Sequence, residues 1–238
     1  MRRQHFKLPA VVLAVILMPL LLLLAVCSAG SSKAAAAGFS ESWPYKAEML
    51  HSSQIIVVEA VSPRAQTGRL SLLQKVDGQW ISILPGIPVT LGSGGIGKTR
   101  EGDKRTPSGV FPLGSSFGSA ADPGGLKLPY IRTTGQDYWI DDPHSVQYNQ
   151  WVSYSGNPDL HWQSYERLRQ PLYKYAVILR YNDAPVVPGK GSAIFLHIWK
   201  AEDKPTAGCI AMSESNLLKL MRLLDPALSP AIAIGVSG

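Results

Sequence analysis

Cys209 and His197 are residue types that can form a nucleophile and its base, and they lie twelve positions apart. A thiol is a weak nucleophile until it is deprotonated, and a neighbouring imidazole lowers its pKa and takes the proton. Between them, Thr206-Ala207-Gly208 leads directly into the cysteine. The backbone N–H groups of Ala207, Gly208 and Cys209 could aim at the oxyanion of a tetrahedral intermediate. Gly208 lets a substrate backbone approach closely. Each piece alone has a plainer reading: a cysteine can be a small buried hydrophobe, and an isolated histidine a satisfied core residue.

Stepping outward, the elements around these residues suit the chemistry. Ser192–Trp199 alternates, with Ala193, Phe195 and His197 on one face of a strand and Ile194, Leu196 and Ile198 on the other. A loop and a return would bring the imidazole beside the thiol, in a polar turn just before a helix. That helix follows from Ser213 as its cap, Glu214 in its first turn and an apolar stripe of Leu217, Leu220, Met221 and Leu224. Asp225-Pro226 ends it, and Ala231–Val236 returns as a last strand. Upstream, Ser53–Glu59, Leu70–Val76, Gln79–Leu84, Ile87–Leu91, Val110–Leu113 and Tyr173–Tyr181 read as strands. Asp77-Gly78 marks a hairpin turn. Residues 114–165, rich in Gly, Pro, Tyr and Trp, read as a long irregular insertion. With 22 glycines and 18 prolines in 238 residues, the expected class is mainly β, in one domain of ordinary size.

The formal charge of +6 suggests an acidic partner, but its location argues otherwise. Arg2, Arg3, Lys7 and Lys33 precede residue 38 with no acid among them, leaving +2 for the rest. These cations flank an apolar run, Leu8–Val26, followed by the small-residue stretch Ser28–Gly38. That is the layout of an export signal. Residues 1–37 are therefore expected to be a signal peptide or amino-terminal membrane anchor, and 38–52 a linker. Three fates stay open: cleavage within Ala34–Ala37, retention of residues 8–26 in a membrane, or lipidation of Cys27 in the lipobox-like Leu24-Ala25-Val26-Cys27. All three place residues 38–238 outside the cytoplasm, in the periplasm or cell envelope. Cys209 is then the exported domain's lone thiol, and an odd cysteine in such a compartment is either paired between chains or reactive.

Gly92-Ser93-Gly94-Gly95-Ile96-Gly97-Lys98-Thr99 matches the phosphate-binding pattern GxxxxGK[ST]. That loop works by opening a helix, and Gly102, Pro107 and Gly109 closely follow. A Gly-rich turn between strands is the better reading, with no nucleotide and no nucleic acid as partner. His144 and His161 lack ligand spacing and no Cys/His cluster occurs, so neither metal nor cofactor is expected.

At the cysteine the sequence resembles the YkuD-type L,D-transpeptidase catalytic domain family of bacterial cell-wall enzymes. Its signature is a strand histidine followed, after a loop, by Ser/Thr-His-Gly-Cys and an apolar residue. Thr206-Ala207-Gly208-Cys209-Ile210 is similar to the second part and His197 to the first. Thr106-Pro107-Ser108-Gly109-Val110-Phe111 resembles the family's Thr-Pro-x-Gly-x-Phe segment. The chain departs from the pattern at Ala207, where the motif has histidine, at Ala211, where Arg or Asn is common, and in its shorter His–Cys separation. The resemblance implies a YkuD-like β-sandwich with a helix after the cysteine, and a catalytic domain over 53–238. It implies a cysteine-dependent acyltransferase of peptidoglycan stem peptides that works through a thioester, in cell-wall biogenesis and cell shape. Cys209 would be the nucleophile, His197 its base, and Ala207 and Gly208 the oxyanion donors. Thr206, Asp142, His144 and Tyr148 are candidates for the substrate cleft, with Asp141 sharing the ambiguity; exposure or packing is the alternative for His144, and aromatic packing for Tyr148. A carboxypeptidase or amidase on the same stems, or a wall-binding protein without turnover, are the competing functions.

Overall fold

The computed structural model describes residues 52–237. The expected export segment, Cys27 and nearly all of the linker lie outside them. In chain order the elements are β1 (Gln54–Ala60), β2 (Thr67–Val76), β3 (Gln79–Thr90), β4 (Gly109–Gly118), β5 (Tyr130–Arg132), β6 (Asp137–Ile140), β7 (Gln150–Ser153), β8 (Tyr165–Arg167), β9 (Ala176–Leu179), β10 (Phe195–Ile198), β11 (Ile210–Met212), α1 (Glu214–Leu223) and β12 (Ala231–Val236). The described chain is mainly β, as expected.

The β2–β3 hairpin turns at Asp77-Gly78, both at positive φ (49° and 79°), the conformation a two-residue turn of this hand requires. The large sheet runs β12-β1-β2-β3-β11-β10-β9-β4-β5. It closes on itself through β4, whose first half pairs with β12 and whose second half pairs with β9. Closure follows from alternation: Ile56, Val58, Leu70, Leu72, Val89, Leu91, Leu196, Ile210, Ile232 and Ile234 all point into one core. α1 seals that core with Leu217, Leu220 and Met221. The Ser213 side chain accepts the Asn216 N–H, satisfying an otherwise orphaned donor.

Two expectations need correction. The 114–165 region is not irregular throughout, because β4 extends to Gly118 and β7-β6-β8 form a sheet of their own. This small sheet covers the outer face of the large one. Trp139 and Leu168 pack there against Phe117, Tyr173, Ala176, Phe195 and Cys209. Trp139 and Trp151 are thus packed between the two sheets, whereas Tyr138, Trp162, Tyr154 and Tyr165 gather in a second cluster. Cys209 also does not lead straight into the helix. Ile210-Ala211-Met212 forms β11, fully buried between β3 and β10 and parallel to the latter.

Candidate active site

β10 and β11 set the geometry of the site. Their register pairs Leu196 with Ile210 and His197 with Ala211. Residues alternate across a sheet, so His197 and Cys209 emerge on the same outer face, diagonally disposed on neighbouring strands. The small Ala211 lies opposite His197, leaving space for the ring. Both side chains line one cavity of about 410 Å³ at the junction of the two sheets.

The ring is tethered. His197 Nδ1 lies 2.8 Å from the Ile198 carbonyl oxygen, which can only accept. Nδ1 therefore carries the proton, and the Nε2 lone pair is available to a proton donor. Tyr173 packs edge-on against the ring, with centroids 5.2 Å apart. Burial pushes the imidazole down to about 4, opposed in part by the Ile198 bond.

The sulfur is equally constrained. Sγ donates to the Ala193 carbonyl (3.3 Å) and accepts the Phe195 N–H (3.4 Å). Burial pushes the thiol up to about 12, and the Glu166 carboxylate adds to this. Phe195 N–H, Lys98 and the Tyr173 hydroxyl partly offset it. At neutral pH the resting pair is thiol and neutral imidazole.

The turn before the cysteine is wired from both sides. Thr206 Oγ1 donates to the Cys209 carbonyl (2.7 Å) and accepts the Gly208 N–H (3.0 Å). Thr106 Oγ1 reaches the same carbonyl (3.4 Å) and accepts the Gly92 N–H (2.8 Å). Gly208 sits at φ +144°, and a Cβ there would lie 2.9 Å from the Arg105 carbonyl oxygen. A glycine is required for both reasons.

The GxxxxGK[ST] stretch is loop throughout and supports this turn from behind. Ser93 N–H bonds the Thr206 carbonyl, and Gly94 N–H the Lys104 carbonyl. A Cβ on Gly92 would lie 2.3 Å from the Lys104 carbonyl oxygen, so that glycine serves close backbone approach. Lys98 turns inward to Asp103 at 2.9 Å, with side chains 3% and 6% exposed. Burial acts to raise the Asp103 carboxyl, but the Thr99, Arg105 and Arg100 N–H groups and Lys98 outweigh it and hold it at about 2. Stability from Asp103 is therefore present above the ordinary carboxylate range and is lost as pH falls towards 2. Asp103→Asn leaves a buried ammonium unpaired and is expected to lower unfolding stability by about 3 kcal/mol, measured by urea denaturation at pH 7.

The cleft candidates separate. Thr206, Ala207 and Gly208 line the cavity; Asp142, His144 and Tyr148 do not. Asp142 accepts the His144 and Gln163 N–H groups (both 2.9 Å) and shapes a turn, leaving His144 exposed. Tyr148 is buried; its hydroxyl donates to Glu101 Oε2 (2.6 Å) and accepts the Gly191 N–H (2.9 Å). It holds Glu101, which does line the cavity.

Sequence reasoning weighed Asp141 for the cleft but missed Glu101 and Glu166, which complete an acidic wall of the cavity. Glu101, Asp141 and Glu166 come from three distant segments, with Lys104, Lys200 and Lys204 elsewhere on the lining. Burial raises the Asp141 and Glu166 carboxyls, with repulsion from Glu101 and Asp142 adding to it at Asp141 and from Asp141 and Glu101 at Glu166. Among the described residues, no group of His, Cys, Asp and Glu has the arrangement of a metal centre.

A model of the YkuD family, described as the L,D-transpeptidase catalytic domain, matches residues 60–232. Among solved structures the chain is similar to the helical cell shape determining protein Pgp2 from Campylobacter jejuni, with 17% identity and a TM-score of 0.44. The match covers 78% of this chain and 48% of that one, so this chain spans about half the length of that protein. No curated protein matches the chain.

Proposed function

The chain belongs to the YkuD family of L,D-transpeptidase catalytic domains, and from that premise we propose that it is a cysteine acyltransferase of peptidoglycan stem peptides. The observation that carries this reading is the placement of Cys209 and His197 on one face of adjacent parallel strands, lining a single cavity. His197 Nε2 takes the thiol proton as Sγ attacks the carbonyl of a stem peptide, because a buried thiolate is too unfavourable to wait at rest. The tetrahedral oxyanion is met by the Ala207 and Cys209 backbone N–H groups, since the Gly208 N–H expected to join them is donated to Thr206 Oγ1. Collapse forms the thioester, and the departing terminal D-Ala amine takes its proton from the imidazolium. An amine of a neighbouring stem then attacks the thioester and completes a cross-link; water in its place gives carboxypeptidase activity.

The same reading places the catalytic domain in the periplasm or cell envelope, behind the export segment, with wall remodelling as its role. The basic amino-terminal flank, the apolar Leu8–Val26 run and the lone thiol of the exported part support it. No cofactor is required, since nucleophile, base and oxyanion donors all come from the chain.

The test uses the full chain in detergent, incubated with stem tetrapeptide and followed by intact mass and D-Ala release. The expected result is a tripeptide adduct on Cys209 with release of D-Ala. Absence of both, where a control enzyme shows both, overturns the proposal. Addition of an amine acceptor then separates transfer from hydrolysis.

A further inference from the structure

Two residues before β10 the backbone turns left-handed. Ala193 has a φ of 52°, a conformation that L-residues other than Asn, Asp and His seldom adopt. In an extended strand the N–H and C=O of one residue point to the same edge; at Ala193 they diverge. Its carbonyl accepts the Cys209 S–H (3.3 Å), and its N–H is donated to the Asn149 side chain (3.2 Å).

The register of β10 and β11 shows what the sulfur replaces. Leu196 pairs with Ile210, so continuing the ladder backwards would set Gly208 opposite Ile194. The backbone of Gly208 would then serve the Ala193 carbonyl and the Phe195 N–H, as in any parallel pair. Gly208 N–H goes to Thr206 Oγ1 instead. The Cys209 sulfur takes both groups, donating to Ala193 and accepting the Phe195 N–H at 3.4 Å. The thiol thus stands in for the next rung of the sheet.

Asn149 is built to hold this bend. It is 7% exposed and itself sits at a φ of 58°, which asparagine tolerates. Its Oδ1 accepts the Trp139 Nε1–H (2.9 Å) and the Ala193 N–H, while Nδ2 donates to the Tyr181 and Asn182 carbonyls (3.0 and 2.8 Å). Two groups that only donate face the oxygen and two that only accept face the nitrogen, so the amide has one orientation and every position is filled.

We propose that Asn149 is a positioning residue for the nucleophile: it holds the Ala193 peptide left-handed, and the Ala193 carbonyl then aims the Cys209 S–H. The Phe195 N–H is set by the pairing of β10 with β9, so Asn149 governs the acceptor half of the sulfur's cradle. The thiol meets substrate already oriented, with no rotamer search left to make. As its proton passes to His197 Nε2, the sulfur keeps the Phe195 N–H, which suits the thiolate.

The functional half rests on Cys209 being the nucleophile; the spectroscopic half needs no turnover, so the two failures are distinguishable. An infrared difference spectrum of the full chain against Cys209→Ala isolates the Cys209 S–H stretch from that of Cys27. A carbonyl acceptor weakens the S–H bond and lowers this stretch. The parent band is expected below that of an alkanethiol in an apolar solvent, and Asn149→Ala should move it most of the way up to that position. Adding Ala193→Gly to Asn149→Ala should return the band at least halfway, because glycine takes positive φ without steric cost. In D-Ala release, Asn149→Ala should lower kcat about tenfold and leave KM within about twofold. A parent band at the free-thiol position, which needs no variant to fold, would overturn the proposal. So would an unmoved band in folded Asn149→Ala, no return on adding Ala193→Gly, or a loss carried by KM alone.

Discussion

Cys209→Ala is expected to abolish both the acyl adduct and D-Ala release, a loss on the order of 10⁴-fold or more in kcat/KM. The size follows from the sulfur's role: without it no covalent intermediate forms, and the oxyanion donors and imidazole retain only what they do for water attack. Stability should change little. The side chain is small, and it relinquishes only its contacts with Phe195 N–H and the Ala193 carbonyl. A loss of about 1 kcal/mol in urea denaturation would be ordinary for such a change. Intact mass, D-Ala release and denaturation on one preparation therefore distinguish lost chemistry from lost fold. An adduct that persists in the variant would move the nucleophile elsewhere.

His197→Gln is expected to lower kcat/KM for D-Ala release by about 10³-fold, within the usual range for a positioned base. The pH profile is the sharper measurement. The buried imidazole is held down to about 4, and only its neutral form can accept the thiol proton. The acid limb of kcat/KM should accordingly fall near pH 4, with a flat region above it, since the thiol itself is pushed up to about 12. An acid limb near 6.5, the value of an exposed histidine, would mean that another group controls the step. Stability follows the same sign. Between about pH 6.5 and 4 the unfolded chain binds a proton at His197 that the fold excludes, so stability drops as pH falls through that window. His197→Gln should flatten this part of the stability curve, read as the urea midpoint against pH.

Much of this site could be read along the chain because its signals are local. His197 declared its face by alternation with Phe195, Ile194 and Leu196, and the two sets do occupy different cores. The Asp77-Gly78 hairpin, the Ser213 cap and the Leu217–Leu224 stripe are likewise contained within a few residues. The Gly92–Thr99 stretch was separable from a phosphate loop because a helix cannot continue through Gly102 and Pro107. The short β11 was not legible: three apolar residues before a helix look like part of the helix approach until a partner strand pairs with them.

The residue types, their order and the resemblance of Thr206–Ile210 to a known motif were enough to determine the family and the mainly β class, and to single out Cys209 as the candidate nucleophile. Only the tertiary structure decided what surrounds that thiol. Glu101, Asp141, Glu166 and Tyr173 reach the cavity from segments far apart in sequence, and Asp142, His144 and Tyr148 are turned away from it. The reason is physical. Periodicity reports which face of its own strand a residue occupies, whereas the charges around Cys209 depend on which other segments are packed over that face, and those are chosen by the closure of the sheet and the docking of β6–β8.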